Sequence, residues 1–302
     1  YQAEFIPFVF AAAVFGIKRL LTLKSSVVKP AIAFMLVAFS AMSIALSGFI
    51  PELPQRHLEP IASYRGYAVL CRAMLDRVPA GASVISTFEF LPKLSGRTNL
   101  YSLHHVYIGH YTLSDRPYPI PENIDWLLIN TLDRNTFGGA FYRVDSYTNL
   151  QQLLASASWT NEFHSANLLA FRRLPDTPPQ EPDLCRPVTR EQLPARLANM
   201  TIATGTVQNI ELKGFTTSND GLFDFYWERL DDQPLDYLFF VRLFDHEREV
   251  GRFVLAPGHR IWPPPSWKPG DLVKDRHRLP LENIADPTQL RLEGQLIPIN
   301  RP

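Results

Sequence analysis

A long uncharged stretch constrains this chain more than any other feature of its sequence. Residues 30–50 read PAIAFMLVAFSAMSIALSGFI, without one charged side chain. At about 1.5 Å per residue, a helix of this length spans the ~30 Å hydrocarbon core of a bilayer. A second uncharged run occupies residues 5–17, and the loop between the runs carries only basic charges: Lys18, Arg19, Lys24 and Lys29. The pattern predicts two transmembrane helices within residues 1–54, joined by a cytoplasmic loop, with the rest of the chain extracytoplasmic.

The first run is short for a membrane span, and the chain begins at Tyr1 rather than Met. We interpret both features as signs that the chain is cut from a longer protein. A cleaved signal peptide is the alternative, with Lys24 and Lys29 as its basic region and residues 31–46 as its apolar region. The span is favoured, because a signal peptide begins a chain and does not follow another apolar run.

Composition indicates that a larger soluble part follows. Hydrophobic residues make up 46% of the chain, and 30 basic residues balance 30 acidic ones. The charges within residues 1–50 are Glu4, Lys18, Arg19, Lys24 and Lys29. No Lys/Arg stripe follows, which argues against nucleic acid as a partner. Two cysteines, Cys71 and Cys185, permit one disulfide at most, and Cys71 fits equally a small buried side chain on a helix.

A proline-rich stretch divides the soluble part. Residues 175–187 read PDTPPQEPDLCRP, and so many prolines prevent a helix or a central strand. We therefore predict an extracytoplasmic α/β domain at residues 55–174, a linker at residues 175–187 and a second domain at residues 188–302.

In the first of these domains, helical and extended patterns alternate. We predict helices at residues 64–78 and 150–156, a helical turn at 89–94, strands at 83–88, 99–103 and 125–131, and a hairpin pairing 162–164 with 168–171. Such alternation is typical of a small three-layer α/β domain with a mainly parallel sheet. No GxGxxG follows the first strand, so no dinucleotide cofactor is predicted.

The second domain has the pattern of a β-protein. Phe223, Phe225 and Trp227 alternate with polar residues, and residues 237–244 (YLFFVRLF) form a nearly continuous apolar run. These strands predict an antiparallel β-sandwich. The segment Lys268-Pro269-Gly270 predicts a tight turn in which the glycine has a positive φ.

Several polar and aromatic residues are candidates for chemistry. His104, His105 and His110 could ligate a metal, but no spacing fixes a partner, and loop histidines are the preferred interpretation. Acidic candidates for acid–base chemistry are Asp115, Glu122, Asp125 and Asp133. Sequence does not bring any two of them together, so solvated or capping carboxylates are preferred. No catalytic, cofactor-binding or metal-binding residue is assigned.

Two tryptophans are candidates for stacking on a sugar. Trp262 and Trp267 flank three consecutive prolines, and an exposed aromatic pair can bind the face of a sugar ring. Packing of both rings in a rigid turn is the alternative, and it is the one we favour.

A group of ordered segments resembles a known family. These are Ile6, Pro7 and Phe8, residues 79–84, residues 91–97 followed by Tyr101, and residues 125–129. Over residues 1–174 the chain resembles the C-terminal third of a bacterial integral-membrane family catalogued as domain of unknown function 2079. The resemblance implies an inner- or plasma-membrane protein whose soluble domains are extracytoplasmic.

That family is similar in hydropathy to the C-type glycosyltransferases, which use polyprenyl-phosphate sugars. The resemblance implies three partners: the lipid bilayer, a polyprenyl-phosphate-sugar donor and a glycan acceptor. The catalytic acid of those enzymes lies in a first outer loop that this chain lacks. Residues 236–245, 267–275 and 279–284 resemble β-sandwiches appended to bacterial glycosyltransferases, although residues 289–296 depart from their final strand. The chain is therefore expected to be a non-catalytic portion of a glycosyltransferase-like protein. A membrane-anchored interaction module without chemistry is the alternative.

Overall fold

The structure is a computed structural model that describes most of the chain after residue 57. It covers residues 15–19, 22, 30–31, 33–35, 37–38, 58–112, 114, 116–137, 146–175, 177–179, 182–198, 200–203, 209–218, 220–281 and 289–299. Contacts divide the chain into two compact units, Tyr1–Ala68 and Val69–Pro302. The account below concerns the second unit and the helix that enters it.

The fold-class prediction of two transmembrane helices ahead of the α/β domain and the β-sandwich is wrong. Among the described residues, no helix is both long enough and apolar enough to cross a membrane, and the elements are mostly strands. The longest described helix, Leu58–Leu75, carries Glu59, Arg65 and Arg72. Charges on such a helix oppose burial in hydrocarbon. The apolar runs at residues 5–17 and 30–50 lie largely outside the described residues.

The first half of the second unit is built from short helices and five strands. After the helix that enters it, α1 (Leu58–Leu75), its elements are β1 (Val84–Ser86), a 3-10 turn (Phe88–Phe90), α2 (Leu91–Leu94), β2 (Leu100–Ser102), α3 (Leu103–Ile108), β3 (Trp126–Asn130), α4 (Arg134–Phe137), α5 (Tyr147–Ala155), β4 (Ser158–Ser165) and β5 (Leu168–Leu174). The predicted strands at 83–88, 99–103 and 125–131 and the helix at 150–156 are confirmed, with ends shifted by up to three residues. α3 ends at Gly109, whose φ of 79° suits a residue without Cβ.

The strands form one mixed sheet in the order β2-β1-β3-β5-β4. β1 pairs with β2 and β3 in parallel, whereas β5 pairs with β3 and β4 antiparallel. The expectation of a mainly parallel sheet is therefore wrong, because the β4–β5 hairpin adds two antiparallel pairings. Buried side chains of α3, α5 and the central strands share one core, among them Leu103, Leu127, Leu153 and Phe171.

The second half is made almost entirely of strands. Its elements are β6 (Cys185–Val188), a 3-10 turn (Arg190–Gln192), β7 (Thr201–Ala203), β8 (Ile210–Thr217), β9 (Leu222–Arg229), β10 (Asp236–Asp245), β11 (Arg248–Leu255), 3-10 turns at Pro257–Arg260 and Pro264–Ser266, β12 (Leu272–Arg278) and β13 (Arg291–Ile299). They form two four-stranded sheets, β11-β10-β13-β7 and β6-β12-β9-β8. One apolar core draws on both sheets. The alternating side chains of Phe223, Phe225 and Trp227 are fully buried in it.

The two halves are in direct contact. Ala166 N–H, in the β4–β5 turn, donates to Arg278 O at 2.6 Å, and Arg276 N–H donates to Leu184 O at 2.7 Å. Leu184 belongs to the first core, and the next residue, Cys185, packs against the second. The end of the proline-rich stretch therefore lies against both halves. The domain boundaries at residues 54, 174 and 187 stay predictions. Cys71 and Cys185 are not joined in a disulfide.

Candidate functional site

Three histidines meet where the β4–β5 hairpin contacts the sandwich. His164 comes from β4, His259 from the 3-10 turn after β11, and His277 from β12. One ring nitrogen of each lies within 4.8 Å of the corresponding nitrogen of the other two. We call these three residues the histidine cluster. The rings of His259 and His277 stack with their centroids 4.1 Å apart, and His164 meets His259 edge-on at 5.4 Å.

Two histidines of the cluster are oriented by hydrogen bonds through Nε2. His259 Nε2 lies 2.8 Å from Arg276 O, and His277 Nε2 lies 2.9 Å from Asp275 Oδ2. Carbonyl and carboxylate oxygens only accept, so both Nε2 atoms carry a hydrogen, and in the neutral form of each ring the lone pair is on Nδ1. Both Nδ1 atoms are buried and have no hydrogen-bond partner.

The third histidine lies at the edge of the cluster. His164 is 9% exposed, and its Nε2 accepts a long 3.3 Å hydrogen bond from Arg278 N–H. Burial lowers its pKa well below the ordinary value, and the neighbouring His259 and His277 lower it further. The imidazole is therefore held neutral at physiological pH.

Burial also affects the pKa values of His259 and of the neighbouring Asp275. Desolvation, followed by repulsion from His277, lowers the pKa of His259 to about 4. Burial opposes ionisation of Asp275, but the charge and hydrogen bond of His277 outweigh it and keep the pKa of the carboxyl below its usual value. The site thus combines three imidazoles, of which those of His164 and His259 are neutral, with one buried carboxylate. Such a donor set can hold a transition-metal cation.

An open cleft borders the cluster at His164. It encloses about 640 Å³ between the hairpin, the end of the proline-rich stretch and β12. Its charged lining residues are Arg77, Glu162, Asp183, Arg276 and Arg278. Most of these charges are paired: Arg276 contacts Asp183 at 2.7 Å, and Arg278 contacts Asp220 at 2.8 Å. We call this feature the hairpin cleft.

The histidines singled out from the sequence do not join the cluster. His104 and His105 lie in helix α3 rather than in a loop, and His110 follows it. His104 is buried, whereas His105 Nε2 lies 2.9 Å from Thr112 Oγ1. The metal-compatible group found among the described residues is the histidine cluster instead.

Two of the acidic candidates accept hydrogen bonds from backbone N–H groups. Asp125 Oδ2 accepts from Ser83 N–H at 2.8 Å, and Asp133 Oδ2 accepts from Phe88 N–H at 3.0 Å. Asp133 also caps α4, because its Oδ1 accepts from Asn135 N–H at 3.2 Å. Glu122 is exposed, and Asp115 lies outside the described residues.

The two tryptophans occupy different environments. Trp267 is 4% exposed, belongs to the sandwich core, and donates from Nε1 to Trp262 O at 2.8 Å. Trp262 is half-buried and lines a second cleft beside α5. Sugar stacking stays a prediction, and Trp262 is the ring of the pair with accessible surface.

Sequence reasoning missed the histidine cluster because its members are far apart along the chain. Residues 164, 259 and 277 share no metal-binding spacing, and their meeting depends on the packing of the hairpin against β12. One local signal was present: Asp275 and His277 are two apart in a strand and so share a face.

Comparisons with known proteins identify a family but no function. A family profile described as "Predicted membrane protein (DUF2079)" matches residues 1–168. No curated protein matches the chain, and no solved structure does. The match covers more than half of the chain, which therefore belongs to the DUF2079 family of predicted membrane proteins.

Proposed function

We propose that this chain is a non-catalytic, glycan-binding portion of a glycosyltransferase-like membrane protein. The observation that carries the proposal is the hairpin cleft. Its paired arginines and carboxylates place hydrogen-bond donors beside acceptors. Sugar hydroxyl groups both donate and accept, so such a lining suits a glycan or a sugar phosphate.

Two further observations support the proposal. Asp125 and Asp133, two of the four acidic candidates from the sequence, use carboxylate oxygens to accept from backbone N–H groups. These carboxylates are therefore poor candidates for proton transfer. The family is described as a membrane protein, and the described residues include the exposed apolar side chains Phe15, Phe34 and Val37. We propose the lipid bilayer as their partner, with residues 69–302 extracytoplasmic.

A binding and turnover assay tests the proposal. The purified chain is reconstituted in liposomes and offered short-chain isoprenyl-phosphate sugars and free oligosaccharides in separate arms, with binding read by saturation-transfer NMR. We expect binding in at least one arm and no sugar transfer in either. Arg77→Gln, in the cleft, should weaken binding about tenfold or more, as loss of a charge-assisted hydrogen bond does. The matched control Arg248→Gln changes an exposed arginine of β11 and should bind normally.

Sugar transfer by the purified chain would contradict the non-catalytic role. Absence of binding in both arms would instead favour the interaction module. The side of the membrane is tested with Ser218→Cys in a chain whose Cys71 and Cys185 are replaced by alanine. Because Ser218 is exposed, an impermeant maleimide should label it in intact cells, and labelling only after lysis would contradict the placement.

A further inference from the structure

The histidine cluster has the features of a metal site. Its three imidazoles come from three separate elements and from both halves of the unit. We propose that His164, His259 and His277 together bind one divalent transition-metal ion, and that Zn²⁺ suits the site best.

The first support is the pair of orphaned nitrogens. Nδ1 of His259 and Nδ1 of His277 are buried without a hydrogen-bond partner. Leaving a buried polar atom unsatisfied costs about 1–3 kcal/mol, so one such atom in each of two stacked rings points to a ligand. In each ring this nitrogen holds the lone pair that a metal ion would accept.

The second support is the hydrogen bond that each of the two rings makes through its other nitrogen, Nε2. Histidines that bind metals usually donate their other N–H to a carbonyl or carboxylate, which fixes the tautomer and the ring orientation. His259 has such a contact with Arg276 O, and His277 has one with Asp275 Oδ2. The surroundings therefore already select the tautomer that binding through Nδ1 needs.

To bind one ion, the ring nitrogens of the three histidines have to move slightly closer together. In a tetrahedral zinc site the ligand nitrogens lie about 3.3 Å apart, since Zn–N is about 2.0–2.1 Å. The ring nitrogens of the cluster lie within 4.8 Å of one another, so closing on an ion moves them by at most about 1.5 Å relative to one another. His164 changes most, because coordination through Nε2 replaces its long hydrogen bond from Arg278 N–H.

The charges near the cluster also fit a cation. Asp275 is 1% exposed and supplies a negative charge next to two of the ligands. Arg276 and Arg278 repel a cation, but Arg276 is paired with Asp224 and Asp183, and Arg278 with Asp220. Several imidazoles with one nearby carboxylate are a typical environment for Zn²⁺.

One residue of the cluster borders the open hairpin cleft. His164 lines this cleft, whereas His259 and His277 are buried and do not line it. Water from the cleft can complete the coordination of an ion held by three protein ligands. The ion can enter by the same path.

Metal binding by the full chain tests the proposal. The purified protein is stripped with a chelator and titrated with Zn²⁺ by calorimetry, and with Co²⁺ by visible absorption. We expect one ion per chain, Co²⁺ d–d bands indicating nitrogen ligands, and a higher melting temperature with Zn²⁺. His259→Asn should weaken Zn²⁺ binding about 100-fold or more, because it removes a ligand.

The chain offers a closely matched control. His246 has the same φ of 55° as His259 but lies in the exposed turn after β10, so His246→Asn makes the same change in the same backbone conformation. Unchanged Zn²⁺ affinity in His246→Asn supports the assignment. Failure of the wild-type protein to bind Zn²⁺, or equal binding by His259→Asn, would overturn it. If His259→Asn does not fold, the wild-type Co²⁺ spectrum decides, because an octahedral, all-oxygen spectrum contradicts the site.

Discussion

At the scale of single residues, a buried ion pair joins the sandwich to the first half of the unit. Arg260 pairs with Asp236, and the side chains are 4% and 2% exposed. Arg260 Nε also donates to Thr131 O, at the end of β3, at 3.3 Å. Arg260 is held there although its φ of 61° is unfavourable for a long side chain. The pair thus fixes a contact between the halves.

Removing the charge of one member of this ion pair should lower the stability of the fold. Asp236→Asn leaves the guanidinium of Arg260 buried without its countercharge, and we expect the free energy of unfolding to fall by about 3–5 kcal/mol. The same substitution at Asp245, which is partly exposed and lies 3.7 Å from Arg248, should change it by less than about 0.5 kcal/mol. Urea unfolding of both variants measures the difference. Equal effects would show that the buried ion pair stabilises the fold no more than the exposed pair does.

His104 should make stability depend on pH. Burial, and next to it repulsion from His105, lowers the pKa of His104 below the ordinary 6.5. The unfolded chain therefore binds more protons than the folded chain as the pH drops below about 6.5, and stability falls with it. In His104→Gln, the loss of unfolding free energy between pH 7.5 and 5.5 should be smaller than in the wild type. The exposed His246→Gln is the control, and an identical loss in His104→Gln and the wild type would contradict the expectation.

At the scale of elements, the turn before β12 shows how local sequence controls backbone shape. Gly270 has a φ of 86°, which confirms the predicted positive φ, and Asp271 N–H donates to Lys268 O at 2.9 Å. A Cβ here would meet no atom within 4 Å, so a substitution is penalised by backbone strain alone. Gly270→Val should lower the free energy of unfolding by about 1–3 kcal/mol. Gly270→Asn should cost less, because asparagine tolerates this region, and equal costs would rule out the strain explanation.

Periodicity predicted many of the elements. Alternating aromatic residues marked β9, and the apolar run at residues 237–244 marked β10, because strand neighbours point to opposite faces. The order of the strands in the sheets was harder to predict from the sequence. β5 joins β3 antiparallel through contacts with residues about 40 positions away, which no local pattern encodes. No described helix bears out the two predicted transmembrane helices, a prediction that rested on hydropathy alone.

The site was predicted even less well, for the same physical reason. Asp125 and Asp133 accept hydrogen bonds from Ser83 and Phe88, which lie 42 and 45 positions away, so no local pattern could predict these contacts. The histidine cluster needs the hairpin, the turn after β11 and β12 to meet. Three ligands that are separate in sequence leave no spacing to detect.

At the scale of the molecule, the two halves of the second unit should unfold together. Arg260 contacts Thr131, Ala166 contacts Arg278, and Ile261 packs on the first core. We expect hydrogen exchange in urea to lose protection in β3 and β10 at the same midpoint. Asp236→Asn should lower both midpoints equally, with Asp245→Asn as control. Separate midpoints would mean that the halves are independent and that their contacts are weak.

The place of β5 in the sheet affects how the family should be delimited. The family match ends at Leu168, which is the first residue of β5, and this strand lies between β3 and β4. A protein cut at that border would lose the centre of its sheet and expose unpaired backbone along β3 and β4, which favours aggregation. The region of sequence similarity therefore ends before the end of the region that is needed for independent folding. Any excision of the family region that is meant to fold has to extend at least through Leu174, where the hairpin is complete.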